Sequence, residues 1–263
     1  MIELVDVSKR FVHNVVLDGV SLQVKDGETV ALLGPSGVGK SVTLKMINGL
    51  LRPDSGDVIV DGLHVPQLKR KELAQLRAKI GYVFQYGALF DSMTVRENIR
   101  LGITDEEQGR DEAYCVERVK ECLRLVNLAP DVADKYPAEL SGGMKKRVGI
   151  ARAIAGKPKY LLYDEPTSGL DPVNADVIDG LVERLQDELG VTSVVVSHDV
   201  RGSFRVADRV ALLWQAKIRA VGTAEEILAS QDPAVQQFLE RDLEMAVIRE
   251  AGGMGRGAGG HHV

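Results

Sequence analysis

Residues 34–41, which read GPSGVGKS, constrain the fold of this chain more than any other stretch. They follow the apolar run Thr29–Leu33, which predicts a buried strand, and they precede a helix rich in Leu, Met and Ile. Glycines in such a turn let successive backbone N–H groups point inward at a polyphosphate, and the helix N-terminus adds partial positive charge. Lys40 would reach the outer phosphates, and the hydroxyl of Ser41 would ligate Mg²⁺. A turn that only joins a strand to a helix would not need this spacing and this Lys-Ser pair.

Charge and hydropathy exclude several classes of protein. The 263 residues contain 33 Lys and Arg against 38 Asp and Glu, a formal net charge of −5, which argues against a general nucleic-acid binder. The N-terminus lacks a signal-peptide pattern, and no uncharged apolar run approaches the ~20 residues that span a bilayer. We therefore expect a cytosolic chain that reaches any membrane through a partner. Cys115 and Cys122 lie seven residues apart in a helical stretch without a matching set of metal ligands, which predicts two reduced thiols rather than a disulfide or a metal site.

Strand and helix patterns predict an α/β fold. Alternating residues at 2–7 and 15–24 indicate two antiparallel strands before the phosphate loop, and apolar runs at 80–84, 160–163 and 191–196 indicate buried strands of a sheet. From 86 to about 158 only helical periodicity is found, including one helix predicted over 112–125, which indicates an inserted helical subdomain. Phe11, between the first two strands, could stack on an adenine ring, although an aromatic in such a place more often serves packing.

Polar residues follow three of the predicted strands, at the edge where open α/β sheets bind ligands. Asp164 suits the shell of a Mg²⁺ ion, and Glu165 could orient and deprotonate an attacking water. Surface turns also contain Asp-Glu pairs, but here an apolar strand delivers the pair. Gln85 could contact a bound metal or water, and His198 could donate to a γ-phosphate, although Gln is common in loops and a lone His is usually structural.

The segment 140–144, Leu-Ser-Gly-Gly-Met, begins a helix predicted over 141–155. Ser141 is a good N-cap, but two glycines in a first turn destabilise a helix. They are expected if another group approaches the backbone closely, and a helix N-terminus favours an anion. A loose cap before an ordinary helix is the alternative. The following Lys-Lys-Arg, residues 145–147, predicts a solvated or partner-facing surface outside the site.

Together these motifs resemble those of the ATP-binding subunits of ABC transporters along nearly all of residues 1–230. The segment 140–144 matches the family's signature, Gln85 its Q-loop, Asp164 and Glu165 its Walker B motif, residues 168–171 its D-loop and His198 its switch. Other P-loop kinases and GTPases lack the signature. The resemblance implies a P-loop NTPase core of the RecA-like type, with an N-terminal antiparallel β-subdomain and the inserted helical subdomain.

The resemblance also implies how ATP and Mg²⁺ would be bound. Two copies of the chain would form a homodimer with two ATP molecules between them. Glu165 would be the general base, His198 would sense the γ-phosphate, and Gln85 would connect Mg²⁺ or water with the helical subdomain. The implied ATP-binding residues are Phe11, Gly34, Pro35, Ser36, Gly37, Val38, Gly39, Lys40, Ser41 and Val42, with Ser141, Gly142 and Gly143 of the other copy; the implied Mg²⁺ residues are Ser41, Gln85 and Asp164.

A finer resemblance rests on residues 84–91, Phe-Gln-Tyr-Gly-Ala-Leu-Phe-Asp, and on residues 144–148, Met-Lys-Lys-Arg-Val. Both look like the Mla/MCE lipid-transport ATPases. This implies phospholipid transport across the cell envelope, an integral-membrane permease, an MCE-domain lipid-binding protein, and a peripheral location on the cytoplasmic face of the inner membrane. Residues 86–90 would then lie near the groove that receives a cytoplasmic helix of the permease.

Two residues depart from the wider ABC pattern. Met144 stands where Gln is commonest, and Val42 replaces the usual Thr. Val42 keeps its backbone N–H but provides no hydroxyl near the α-phosphate. An importer of amino acids or another small solute remains the alternative, together with a soluble ABC ATPase of DNA repair or translation and a P-loop small-molecule kinase.

The last ~40 residues begin with a short capped helix and continue into an extension. Thr223 and Glu226 match a capping box. A further helical pattern covers 231–251, and we expect this extension to dock on the chain's own core or on a neighbouring subunit. The glycine-rich end, 252–263, predicts a disordered tail. The adjacent His261 and His262 fit that tail better than a metal site.

Overall fold

The computed structural model describes residues 1–12, 14–103 and 112–241. Its strands are β1 (Ile2–Phe11), β2 (Asn14–Val24), β3 (Thr29–Leu33), β4 (Ser55–Val60), β5 (Leu63–His64), β6 (Ile80–Val83), β7 (Tyr160–Asp164), β8 (Thr192–Ser197), β9 (Arg209–Trp214) and β10 (Lys217–Gly222). Its helices are α1 (Lys40–Ile47), α2 (Arg70–Ala78), α3 (Val95–Arg100), α4 (Glu112–Leu125), α5 (Gly142–Ile154), α6 (Pro172–Leu189), α7 (Val200–Val206) and α8 (Ala224–Leu228).

The larger sheet has the order β10-β9-β3-β8-β7-β6 among the described residues. Neighbours from β9 to β6 run parallel, and β10 joins the edge antiparallel to β9. Every residue of β3, β7 and β8 is buried, which explains why these strands read as continuous apolar runs. Because β3, β6, β7 and β8 are parallel, the segments after them emerge at one edge of the sheet, where the candidate site lies.

A second, antiparallel sheet has the order β2-β1-β4-β5 and confirms the predicted N-terminal β-subdomain. Alternate side chains of β1 and β2 are buried, including Leu4, Leu17 and Val20. They pack in one apolar core with Leu44 of α1 and Leu32 of β3. The two sheets therefore enclose α1, which fixes the helix that begins at the phosphate loop.

Between β6 and β7, the described residues contain helices and no strand, which confirms the inserted helical segment. Helix α4 has the predicted bounds. Its buried face, which includes Val119 and Leu123, packs with Ile99 of α3 and Val148 of α5 in a separate core. Cys115 and Cys122, both buried free thiols, share this core.

The C-terminal part of the described chain packs on the larger sheet. Thr223 caps α8 and accepts a hydrogen bond from the backbone N–H of Glu226, as the capping box predicts. Residues 233–241 are helical, and Val235 and Phe238 are buried on the chain's own core with Trp214. The rest of the predicted extension and the glycine-rich tail, including His261 and His262, lie outside the described residues. Among the helices of the described ranges, none is long and apolar enough to cross a membrane.

Candidate functional site

The phosphate loop joins β3 to α1, and its glycines are required by close neighbours. Gly34 has φ +153°, and a Cβ there would lie 2.3 Å from the carbonyl oxygen of Leu213. Gly39 has φ +119°, and its Cβ would lie 2.7 Å from a methyl group of Val16. Larger residues would strain the backbone and displace these neighbours. The loop therefore curls tightly over the end of the sheet, as the sequence predicts.

Lys40 lies inside this curl. Its side chain is 4% exposed, and its Nζ donates to the carbonyl oxygens of Gly34 at 2.7 Å and Pro35 at 3.1 Å. The same ammonium is 3.3 Å from Oε1 of Glu165. Burial lowers the pKa of Lys40, against the opposing effect of the carboxylates of Glu165 and Asp164. A polyphosphate entering the loop would meet a charge that is already aimed at it.

Ser41 and Asp164 come together as predicted for a Mg²⁺ site. The hydroxyl of Ser41 donates to Oδ1 of Asp164 at 2.6 Å, and the hydroxyl of Tyr82 donates to Oδ2 at 3.0 Å. Burial, followed by the charge of Asp164, raises the pKa of Tyr82 far above its usual value, so its hydroxyl stays a donor. The described residues contain no cluster of three or more His, Cys, Asp and Glu that could hold a metal. One hydroxyl and one carboxylate fit Mg²⁺ that is otherwise bound by phosphate oxygens and water.

Glu165 and His198 form the second half of this cluster. Oε2 of Glu165 is 2.6 Å from Nδ1 of His198, and Glu165 has a left-handed backbone with φ +51°. Burial would raise the pKa of the Glu165 carboxyl, but the hydrogen bond from His198 and the charge of Lys40 outweigh it and leave the pKa below its usual value. The carboxylate is therefore ionised at neutral pH and able to accept a proton.

Gln85 follows β6 but contacts the D-loop. Its amide donates to the hydroxyl of Ser168 at 3.2 Å. The structure therefore does not bring Gln85 onto Ser41 or Asp164, and its contact with Mg²⁺ stays a prediction.

The signature residues lie at the start of α5. Ser141 caps the helix, its Oγ accepting from the backbone N–H of Met144 at 3.3 Å. Gly142 is exposed, whereas Gly143 is buried so closely that a Cβ would lie 2.7 Å from the side-chain oxygen of Asn174. In the described part of the chain, no hydrogen bond or ion pair joins these residues to the phosphate loop of the same molecule.

Phe11 ends β1 and is 42% exposed, with the ammonium of Lys9 5.5 Å from its ring centroid. A cavity of about 730 Å³ lies next to the phosphate loop, lined among others by Lys9, Arg10, Val16 and Val38. Lys9 and Arg10, which precede Phe11 in β1, thus line the cavity next to the loop, whereas Phe11 is not among its lining residues and its stacking on a base stays a prediction.

Lys146 corrects the expectation for residues 145–147. Instead of a solvated position, Lys146 is 6% exposed, and its Nζ donates to the carbonyl oxygen of Ser168 at 2.7 Å and, at 3.4 Å, to that of Glu165. Burial lowers its pKa to about 8, partly offset by the charge of Glu165. The Lys-Lys-Arg run has the pattern of an exposed face, so no signal in the sequence distinguishes this lysine from its neighbours.

The fold, the phosphate loop and the paired carboxylates define a P-loop ATPase of mixed α/β architecture. Comparison with known proteins gives the family: a model described as ABC transporter matches residues 17–168, and the chain belongs to the ABC transporter ATP-binding family. It is therefore an ATP-binding and ATP-hydrolysing cassette that acts with Mg²⁺, which confirms the predicted fold class, cofactors and enzymatic class.

Relatives within the family differ in what they transport. The intermembrane phospholipid transport ATP-binding protein MlaF of Haemophilus influenzae is 38% identical over 91% of this chain and 90% of its own length. The methionine import ATP-binding protein MetN of Carboxydothermus hydrogenoformans is 44% identical over 85% of this chain, which spans 66% of that protein. A dimeric ATP-binding cassette in a post-hydrolysis state with ADP and Pi has a TM-score of 0.78 and 34% identity, covering 85% of this chain and 99% of that one.

Proposed function

We propose that this chain is the ATPase subunit of an ABC transporter that moves phospholipids across the cell envelope. The observation that carries this proposal is the correspondence with MlaF, which extends over 90% of that protein, whereas the chain spans only about two thirds of the methionine import protein. The segments 84–91 and 144–148, on which the resemblance to Mla/MCE ATPases rests, support the same assignment. The proposed location is the cytoplasmic face of the inner membrane.

The proposed chemistry follows from the cluster at the edge of the sheet. Lys40 and the backbone of the phosphate loop bind the β- and γ-phosphates. Ser41 and Asp164 would hold Mg²⁺, which would neutralise charge on the phosphate oxygens when bound. Glu165 accepts a proton from the attacking water, because its carboxylate is ionised and is held in place by the contact of 2.6 Å with His198. His198 positions that carboxylate and senses the γ-phosphate.

The proposed homodimer completes each site. Each ATP lies between the phosphate loop of one copy and Ser141, Gly142 and Gly143 of the other, an arrangement we call the shared pocket. The exposed positions of Ser141 and Gly142 at the start of the 13-residue helix α5 support this, because free N–H groups and the helix dipole favour an anion there. Closure replaces water with fixed donors around the phosphates.

The proposed permease contact lies beside the Q-loop. Phe84, Tyr86 and Phe90 are exposed apolar side chains, Tyr86 by 81%. Arg152 of α5 donates to the backbone oxygens of Gly87 and Ala88, both at 2.8 Å, which fixes this segment to the helical subdomain. An exposed apolar patch on a fixed backbone supports docking of a partner helix. Closure of the shared pocket would move that helix, while an MCE-domain protein would handle the lipid.

Reconstitution with the membrane partner tests the transported substrate. The chain and the permease that co-purifies with it are placed in liposomes containing fluorescent phospholipid, and ATP-dependent lipid transfer is measured against a Glu165→Gln control. Lipid transfer that requires ATP supports the proposal. ATP-dependent uptake of methionine or another small solute, with no lipid transfer, would contradict it and favour an importer. The 44% identity to the methionine import protein supports that alternative. Co-purification with nucleic acid and no membrane protein would contradict both.

A further inference from the structure

We propose that Lys146 is a positioning residue that connects the two ATP sites, by fixing the signature helix α5 to the D-loop and to the backbone of Glu165. The inference rests on the proposed shared pocket, in which the start of α5 serves the ATP bound by the other copy while Glu165 serves the ATP of its own copy. Lys146 bonds these two parts within one molecule, because it lies on α5 and donates to the backbone of Ser168 and Glu165.

Ser168 of the D-loop is the point at which the connections meet. Its backbone N–H donates to the carbonyl oxygen of Glu165 at 3.2 Å, which closes a tight turn. Its hydroxyl oxygen accepts a hydrogen bond from the side-chain amide of Gln85 at 3.2 Å, and its carbonyl oxygen accepts one from the ammonium of Lys146 at 2.7 Å. A shift of the Q-loop or of α5 therefore reaches the turn that holds the catalytic carboxylate.

The Q-loop and α5 are themselves in close contact. A Cβ on Gly149 would lie 3.2 Å from the backbone of Gly87, and Arg152 donates to the carbonyl oxygens of Gly87 and Ala88. Because α5 and the Q-loop pack backbone against backbone, they are expected to move together. This pair of elements bonds Ser168 of the D-loop through Gln85 of the Q-loop and through Lys146 of α5.

Burial of an ammonium requires compensation, and the compensation here is specific. An unpaired buried charge would be strongly destabilising. Lys146 instead donates to two carbonyl oxygens, and the negative charge of Glu165 is close enough to favour its charged form. Its neighbour Lys145 is half-buried, and its ammonium has no hydrogen-bond partner in the ranges that the structure describes. The two lysines therefore differ in contacts, although the sequence places them side by side.

The test compares Lys146→Met with Lys145→Met in the full-length protein. Methionine matches the unbranched stem of the lysine side chain as far as Cε and removes the ammonium with its donors. We expect Lys146→Met to lower kcat by about 10-fold or more, because the turn that holds Glu165 loses a bond and a small misplacement of a catalytic group can cost ~10²-fold in rate. The Hill coefficient for ATP should fall toward one, because the two sites lose their connection. The dissociation constant of ATP, measured without hydrolysis, should be unchanged. Lys146→Arg should restore part of the lost kcat and cooperativity, and Lys145→Met should match the parent.

Two results would overturn the inference. One is a Lys146→Met protein whose kcat stays within two-fold of the parent and whose Hill coefficient for ATP equals that of the parent. The other is a loss of kcat that only follows a loss of ATP-binding stoichiometry and of thermal stability, since this would indicate a structural role alone. The shared pocket is tested separately: Glu165→Gln should form a nucleotide-bound dimer. If that dimer forms and Lys146→Met behaves like the parent, only the role of Lys146 fails; if no dimer forms, the shared pocket fails.

Discussion

Replacing Glu165 by Gln tests the proposed general base most directly. The amide has the size of the carboxylate but cannot accept a proton, and it no longer carries the charge that lies 3.3 Å from Lys40 and 2.6 Å from His198. A positioned general base contributes ~10²–10⁴-fold, which is about 3–5 kcal/mol of barrier at ~1.36 kcal/mol per factor of ten. ATP binding should persist or strengthen, because Lys40 loses a carboxylate that competes with the phosphates.

Two measurements on purified Glu165→Gln protein decide this prediction. Phosphate release at saturating ATP with Mg²⁺ should fall by two to four orders of magnitude, and gel filtration with ATP should show a stable dimer. Glu117→Gln is the matched control, because Glu117 lies on α4 with its side chain 76% exposed. Near-normal phosphate release by Glu165→Gln would refute the assignment of Glu165 as the base, and an equal loss in the control would point to a general effect.

Three further changes test other parts of the structure. Phe11→Ala should weaken ATP binding about 5- to 150-fold, the effect of losing ~1–3 kcal/mol of base stacking, and leave tripolyphosphate binding unchanged. Calorimetry with both ligands measures this, and equal losses for the two ligands would exclude stacking. Gly39→Ala should abolish ATP binding, and ATP binding by this variant would contradict the close packing of the loop. Gly190→Ala is the control, because Gly190 also has a positive φ, +62°, but no atom lies within 4 Å of an added Cβ. This control should keep ATP binding and lower the free energy of unfolding in urea by about 1 kcal/mol. Burial raises the pKa of Asp179 to about 6, against the opposing charge of Arg205. The folded state therefore keeps a proton that the unfolded state loses, and the contribution of Asp179 to the free energy of unfolding should fall by roughly 2 kcal/mol from pH 4 to 6. Asp179→Asn should remove this contribution from the pH dependence measured by urea titrations, and an unchanged pH dependence would contradict the prediction.

Features that depend on local sequence were predictable. The phosphate loop combines a buried strand, glycines and a Lys-Ser pair within thirteen residues, from Thr29 to Ser41, so its geometry follows from neighbouring residues alone. Helix α4 has a strong apolar period and was predicted with its observed bounds. Glu165 and His198 directly follow the buried parallel strands β7 and β8, and such strands end at one edge of a sheet, which is why their juxtaposition could be foreseen.

Features that depend on tertiary contacts were not predictable. Strand β10 was missed because its turn is Gln215-Ala216, whose residues have φ +48° and +64°, a conformation normally signalled by Asn and Gly. The burial of Lys146 could not be predicted, because it arises where the D-loop packs on α5. Nothing in the run Lys-Lys-Arg distinguishes its central residue, Lys146, from the two beside it. In the same way, the contact between Gln85 and Ser168 joins segments 83 residues apart.

Trp214 is the single tryptophan of this chain, and it lies at the end of β9 with its ring edge-on to Phe238, 6.4 Å between centroids. Intrinsic tryptophan emission therefore reports on one place in the molecule, the surface on which the helical residues 233–241 pack. Release of those residues would let water reach the indole and shift its emission to the red, without any added dye. Emission spectra recorded while ATP or a membrane partner is titrated would thus show whether residues 233–241 stay packed on Trp214.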